Sequence, residues 1–508
     1  MQWSVIKGRP QDVDADLLVV TVGQGEAGPD GAGLSSLPAP IRSEIERGFA
    51  VGAFRGQAES WLLLPVNGLA AKRVLVVGLG KRDQLSPNAL RRCAGVAAEQ
   101  ARSFKAGRCL LWMPGADRGG LGLQTLARCW VEGVELALST TGELKTDPEK
   151  RNEAARWPRE WLWLQTDKRR LPVVTEGIAE GQAYAAGCLY ARRLVNLPAN
   201  HLTPSQLAEE AKRLARREGL RCRVLGRVQL SRQRMGGVLA VAQGSSQEPN
   251  LILIETPVRK EGPGSDLPLV ALVGKGVTFD AGGISLKPAA KMELMKIDMA
   301  GAAAVLGAVI TITRLQLPVR LLAAIPATEN MPDGSALKPS DVITMASGKS
   351  VEIVNTDAEG RLILADALHW VCRRRPDYVI DAATLTGACV NALGEYFAGL
   401  MSNSAELVDV VGQAGGETFE RVWHLPLVEE HSKALESSVA DLKNLGPREA
   451  GVSTAAAFLA AFVDEAIPWA HLDIAGPVWS DKAGPLGPKG ATGFGARLMA
   501  RAVEILVS

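Results

Sequence analysis

In the second part of the chain the apolar residues fall into two alternating rhythms. Short, almost unbroken apolar runs read as strands covered on both faces: LILIET (251–256), LPLVALVG (267–274), VRLLAAIPA (319–327), VEIVN (351–355), YVIDAAT (378–384) and WAHLDIAG (469–476). Between most of them lie longer stretches with helical patterning: SQLAEEAKRLARRE, MAGAAAVLGAVITITRLQ, RLILADALHWVCRR and TAAAFLAAFVDEA. This alternation predicts an α/β domain with a mainly parallel central sheet and flanking helices. In such sheets ligands bind beyond the carboxyl ends of the strands.

The first part mixes short β runs with helical stretches. RVLVVGLG (73–80) reads as a buried strand ending in a glycine turn, and Ser86-Pro87 as the start of a helix. Gly78 and Gly80 hint at a dinucleotide fingerprint, but Asp83 occupies the third glycine position, so a plain strand–turn–helix is expected. Residues 140–172 are polar and loop-like, and their Trp157, Trp161 and Trp163 read as packing residues. A helical stretch over 175–196, ended by Pro198, looks like a connector. The expected organisation is therefore two domains: a smaller N-terminal α/β domain over 1–172, a connecting helix over 173–197, and a larger α/β domain over 198–508.

Bulk properties narrow the functional class. A chain of 508 residues exceeds what one ordinary core needs. Apolar residues at 47% and charged residues at 22% are ordinary for a soluble globular protein. A net charge of +2 gives no reason to expect a nucleic-acid or membrane-surface role. The start, MQWSVIKGRPQDVDADLLVV, lacks a basic region followed by a long apolar core. No uncharged apolar stretch approaches the roughly 18 residues of a membrane span. The seven cysteines are scattered without a CxxC, which suits reduced thiols in the cytoplasm.

The chemistry gathers at the ends of the predicted strands. In NTDAEGRLILADAL (355–368), Asp357, Glu359 and Arg361 fall between a strand and a helix. In an extended connection, alternate residues point the same way, so Asp357 and Glu359 aim into one crevice. Two carboxylates that close repel, and a cation between them removes the penalty. As an isolated motif, DAEGR reads more readily as solvated turn acids, with Glu359 favouring the helix N-terminus.

A second cluster, VGKGVTFDAGGISLKPAAKMELMKIDMAGAAAV (273–305), changes the balance. Lys275 follows a strand end, Asp280 precedes a Gly-Gly pair, and Asp298 stands before a small-residue helix. A phosphate loop fails here, because Leu269 stands where its first glycine belongs and Gly276 replaces Ser/Thr. Asp280, Asp298, Asp357 and Glu359 would balance two divalent cations, and carboxylates bridge such ions about 3.5–4 Å apart in hydrolytic sites. Beside two dications one lysine loses its proton and serves as a neutral ligand, while the other stays cationic and polarises a carbonyl. The five histidines form no HExxH pattern, and His369 reads as a helix residue.

NTDAEGRL together with VGKGVTFDAGGISLKP and MKIDMAGAAAV closely resembles the leucyl aminopeptidase family of dinuclear-metal exopeptidases, also called cytosol aminopeptidases. NLPANHLTP (196–204), IDAATLTGA (380–388) and HLDIAG with GATGFG (471–476 and 490–495) extend the likeness from about Arg192 to the C-terminus. The N-terminal third matches that family only in size and position, as its variable first domain.

The resemblance implies roles. Lys275, Asp280, Asp298 and Glu359 would hold one metal; Asp280, Asp357, Glu359 and the Asp357 carbonyl would hold the other, the ions being Mn²⁺ or Zn²⁺. Lys287 and Arg361 would be the catalytic side chains, with bicarbonate at Arg361 as general base. Lys287, Met295, Asn355, Thr384 and Gly387 would contact substrate, although Met295 equally reads as core filling and Thr384 as a helix cap. The implied protein is a cytoplasmic homohexamer, a dimer of trimers, acting on peptides with a free N-terminus. Two rivals remain at this level. A magnesium-dependent phosphoryl-transfer site would need phosphate-cradling glycines that are missing. DNA binding, known for some members of the family, would have to rest on a local basic face such as RLARREGLRCR.

Overall fold

The computed structural model describes residues 1–24, 38–65, 68–113, 120–148, 158–257 and 266–508. They form two compact units. The first comprises Met1–Ala185 together with Asp481–Lys489, and the second Ala186–Ser480 with Gly490–Ser508. The contiguous ranges read from the sequence assign Asp481–Lys489 to the other part. The unit boundary falls inside one continuous helix, Leu171–Asn196.

The first unit is built on a six-stranded sheet. Its strands are β1 (Gln2–Lys7), β2 (Leu17–Val22), β3 (Trp61–Leu64), β4 (Val74–Gly78), β5 (Arg108–Trp112) and β6 (Glu160–Gln165), in the order β1-β6-β5-β2-β4-β3. All pairs are parallel except β3 with β4. Every residue of β2 and β4 is buried, as the continuous apolar runs of a doubly covered sheet require. The helix Pro87–Ser103 starts as expected: Ser86 Oγ accepts from Ala89 N at 3.2 Å, and Pro87 fills the first turn, where no backbone donor is needed. Trp161 and Trp163 are buried in β6, and Trp157 lies outside the described residues. The Asp481–Lys489 segment approaches the Pro87–Ser103 helix so closely that a Cβ on Gly95 would stand 1.9 Å from the Pro485 carbonyl oxygen.

The second unit carries strands β7 (Arg221–Leu225), β8 (Asn250–Glu255), β9 (Leu269–Gly274), β10 (Gly276–Asp280), β11 (Arg320–Asn330), β12 (Val342–Thr344) and β13 (Ser350–Glu352). It continues with β14 (Tyr378–Ala383), β15 (Ala398–Ser402), β16 (Val422–His424), β17 (Leu442–Lys443), β18 (Trp469–Asp473), β19 (Trp479–Ser480) and β20 (Gly490–Ala491). The main sheet runs β16-β15-β18-β14-β9-β11-β8-β7, with β10 beside β11. Its centre is parallel: β18, β14, β9, β11 and β10 all point one way. Antiparallel pairings appear toward the edges, at β15–β18, β11–β8 and β8–β7. The parallel centre puts the carboxyl ends of five strands along one rim, next to Lys275, Asp280, Asn330, Thr384 and Asp473.

One expected strand sits elsewhere. Of VEIVN only the first two residues are extended, and they belong to a separate three-stranded sheet, β12-β13-β17. The reason is visible in the burial: Val351 and Ile353 are inside, Glu352 is half-buried and Val354 is exposed. That alternation suits a strand covered on one face, not a member of the doubly covered central sheet. Among the described residues one segment is long and apolar enough to cross a membrane, Met292–Arg314; 83% of its most apolar stretch is buried inside the protein, so it is core.

Candidate active site

The rim of the parallel strands gathers a cluster of opposite charges. Lys275, one residue beyond β9, is buried, with Nζ 2.8 Å from Asp298 Oδ2, 2.8 Å from Glu359 Oε1 and 3.0 Å from the Thr384 carbonyl it donates to. Asp280 closes β10. Its Oδ1 accepts from Gly282 N at 2.9 Å and Asn330 Nδ2 at 2.8 Å, and its Oδ2 lies 2.8 Å from Lys287 Nζ. Lys287 also pairs with Asp357. Gly282 and Gly283 both take positive φ, of 88° and 68°, and turn the chain sharply after Asp280 so that Lys287 comes back over it. Asp298 is the penultimate residue of the short helical stretch Met292–Met299 before Ala300–Arg314, and Thr384 Oγ1 donates to its Oδ1 at 2.7 Å. That helix reaches the strand ends because Gly301 has no side chain: a Cβ there would stand 2.1 Å from the Ala382 carbonyl oxygen.

Asp357 and Glu359 do converge, but not along an extended segment. After β13 the chain makes a turn in which Asn355 Oδ1 accepts from Asp357 N at 2.7 Å. Glu359 is already helical (φ −78°, ψ −36°) and stands at the start of the helix Gly360–Cys372. Arg361 is the second residue of that helix, not part of the connection. It is the turn that brings ligand atoms of Asp280, Asp357 and Glu359 within 4.8 Å of one another.

Burial and mutual repulsion make this cluster hard to ionise fully. The Asp298 carboxyl is held well above its ordinary range by burial, with Asp280 and Glu359 adding to the effect and Lys275 opposing it. Burial and then Asp280 likewise raise Asp357 and Glu359. Burial alone would pull Lys275 and Lys287 down, but the carboxylates outweigh it and raise both. Both Glu359 oxygens, Asp298 Oδ2 and Asp357 Oδ1 are buried without a hydrogen bond; their lysine contacts are ion pairs without hydrogen-bond alignment. Four acids against two ammoniums leave net negative charge, and Glu359 Oε2 is buried with neither a hydrogen bond nor an ion pair among the described residues, so the cluster calls for further cations. The residues present therefore fit divalent metal.

Arg361 faces the opposite problem. It is buried, Nη1 donates to the Asn444 carbonyl at 2.9 Å, and Nε has no partner. It forms no ion pair among the described residues, with Glu359 or any other acid. Burial draws its guanidinium down to about 10, against the pull of Glu359 and Asp473. The helix that carries it starts without a side-chain cap. A buried cation next to free helix amides is a place for an anion.

The remaining sequence-derived residues are spread around this core. Met295 is half-buried in the stretch before Asp298. Thr384 does not cap a helix. Thr386 does, accepting from Cys389 N at 3.0 Å, which leaves Thr384 for Asp298. Gly387 opens the helix Gly387–Leu393 and lines an open cleft of about 590 Å³ with Asn391 and Arg448. His369 is half-buried on the Gly360–Cys372 helix, and the cluster does not include it. Sequence reasoning missed Asn330, Thr356, Asn444 and Asp473. Asn330 Nδ2 ties Asp280 to the Thr356 carbonyl (3.0 Å), and Thr356 Oγ1 donates to the Gly282 carbonyl at 2.6 Å and accepts from Ser285 N at 2.8 Å. Asp473 accepts from Leu385 N at 3.1 Å and Thr386 Oγ1 at 2.7 Å. Asn330, Thr356 and Asn444 are neutral polar residues with no spacing signal, and Asp473 is an isolated acid in its strand, so only the fold reveals them.

Comparison with known proteins gives a consistent picture. Residues 189–500 match the model of the cytosol aminopeptidase family, catalytic domain, and residues 19–148 that of the same family's N-terminal domain. The "probable cytosol aminopeptidase" of Roseiflexus castenholzii is 43% identical over 99% of each chain. That of Nitratidesulfovibrio vulgaris is 45% identical over 84% of each. Among solved structures, a mutant of tomato leucine aminopeptidase superposes with a TM-score of 0.87 at 32% identity, covering 99% of this chain and 96% of that one. The bottromycin maturation enzyme BotP in complex with Mn gives a TM-score of 0.84 at 34% identity, covering 97% and 100%.

Proposed function

The chain belongs to the cytosol aminopeptidase family, and from that premise we propose that it is a two-metal leucyl aminopeptidase, removing N-terminal leucine and other mainly apolar residues from peptides. The observation that carries this reading is the buried cluster of four carboxylates compensated by only two lysines, flanked by Arg361. Lys275, Asp280, Asp298 and Glu359 would hold one ion; Asp280, Asp357, Glu359 and the Asp357 carbonyl would hold the other. Divalent ions held there would supply Lewis-acid chemistry, activating water toward a peptide carbonyl and giving a free α-amine a place to bind. Lys287, kept cationic by Asp280 and Asp357, stabilises the developing oxyanion. Arg361, with its unpartnered Nε, and the uncapped helix start would hold an anion such as bicarbonate, which would supply general-base chemistry there. Met295, Asn355, Thr384 and Gly387 line the substrate's path.

Manganese is the first ion to test, given the Mn-bound structural relative; zinc is the second. The relatives' naming supports a cytoplasmic role in peptide turnover, and the family resemblance supports a homohexamer. The deciding experiment measures metal content of purified protein beside hydrolysis of Leu-p-nitroanilide. Two ions per chain with metal-dependent cleavage is expected; full activity in metal-free protein overturns the reading.

A further inference from the structure

We infer that Asn444 is the positioning residue that sets Arg361 for catalysis, an inference that rests on the aminopeptidase reading above. Asn444 is completely buried just beyond β17, and every polar group it has is spent on the segment Glu352–Arg361. Its backbone N donates to the Glu352 carbonyl at 2.9 Å. Its side-chain oxygen accepts from Val354 N at 2.8 Å and Asn355 N at 3.3 Å. Its side-chain nitrogen donates to the carbonyls of Asn355 at 2.7 Å and Ala358 at 3.4 Å. Its own carbonyl takes Arg361 Nη1 at 2.9 Å, the hydrogen bond that holds the guanidinium.

One amide thus copies the hydrogen-bonding edge of a strand onto a turn that has none. β13 ends at Glu352, and beyond it the Asn444 side chain supplies the partners that a neighbouring strand would give to the amides of Val354 and Asn355 and the carbonyls of Asn355 and Ala358. The same residue that fixes the turn also fixes the arginine two positions beyond Glu359. The clamp sets the distance between the carboxylates of the turn and the guanidinium of the helix. Only an amide serves. A carboxylate accepts from Val354 and Asn355 but turns a second acceptor on the Asn355 and Ala358 carbonyls, and a methyl group matches neither side.

The test is a double-mutant cycle in the metal-loaded full-length enzyme, with Leu-p-nitroanilide as substrate. Asn444→Ala and the equal-sized Asn444→Asp are each made alone and with Arg361→Ala. Each Asn444 change is expected to lower kcat on the order of 10–100-fold, as ångström-scale misplacement does, with KM changed by less than about threefold on the same view of lost transition-state contact. In the Arg361→Ala background the same change should cost little, because its route of action is gone. Equal losses in both backgrounds, or a lower melting temperature with kcat per folded molecule unchanged, overturn the inference. If Asn444→Ala does not fold, the Asn444→Asp arm decides alone. A wild type that does not cleave the substrate overturns the aminopeptidase reading and this inference with it. An active wild type with unaffected variants overturns this inference only.

Discussion

Lys275 and Gly360 compete for one volume: a Cβ on Gly360 would stand 2.6 Å from Lys275 Cε and 2.7 Å from Nζ. The first helical residue after Glu359 must be bare so that the lysine can reach Glu359 and Asp298. Gly360→Ala adds a favoured helix residue but pushes the buried ammonium aside. The expected result is a loss of kcat/KM of about 100-fold with a melting temperature within a few degrees of wild type. Activity within a factor of two would show that Lys275 is free to relocate.

Arg361 and Asp357 are expected to fail in different ways. Arg361→Ala should keep its metal and lose a factor of about 10²–10⁴ in kcat, the range for general-base help. Asp357→Asn removes a ligand charge, so metal occupancy should fall with rate. Metal stoichiometry measured beside kcat separates the two. An Arg361→Ala enzyme with normal kcat ends the proposed role.

Much of this was legible in the sequence, and the limits have physical causes. The central strands β9, β11, β14 and β18 are largely apolar runs and read as strands, with Lys275 just beyond one of them; β10, GVTFD, is short and mixed, does not read as a strand, and carries Asp280. VEIVN misled because it is short and apolar, whereas what matters is the alternate exposure of Glu352 and Val354. The carboxylates of the 357–359 turn converge by way of the helix start, not the strand-like spacing that suggested it. Asn444 lies 83 positions beyond Arg361, and as an uncharged residue in an unremarkable LKNLG it has no pattern to betray it.

If the free α-amine anchors the substrate, blocking it should abolish turnover. N-acetyl-Leu-amide is expected to react at least about 100-fold more slowly than Leu-amide, as loss of a charged, desolvated anchor implies. Comparable rates in a direct kinetic comparison would point to an amidase or endopeptidase.

The carboxylate cluster also fixes the sign of a pH effect. Burial raises Asp298, Asp357 and Glu359 in the folded protein, so the folded state holds protons that the unfolded chain has released. Their contribution to the stability of chelated protein is complete below the ordinary carboxylate range and is lost as pH rises through the raised values. Divalent metal should reverse this, and its binding should release protons. Thermal unfolding of chelated and Mn²⁺-loaded protein, from the ordinary carboxylate range at about pH 4 up to neutral pH, checks both. A chelated protein that grows steadily more stable across that range would contradict the assignment.

The seat of Asp481–Lys489 beside Gly95 bears on how the chain is made. On a ribosome the first 185 residues emerge long before residue 481, so the first unit waits, incomplete, through most of synthesis. A circular permutant or a fragment cut at the unit boundary inherits the same debt. Supplying residues 481–489 in trans, or fused after residue 185, is the way to ask whether that unit can be born alone.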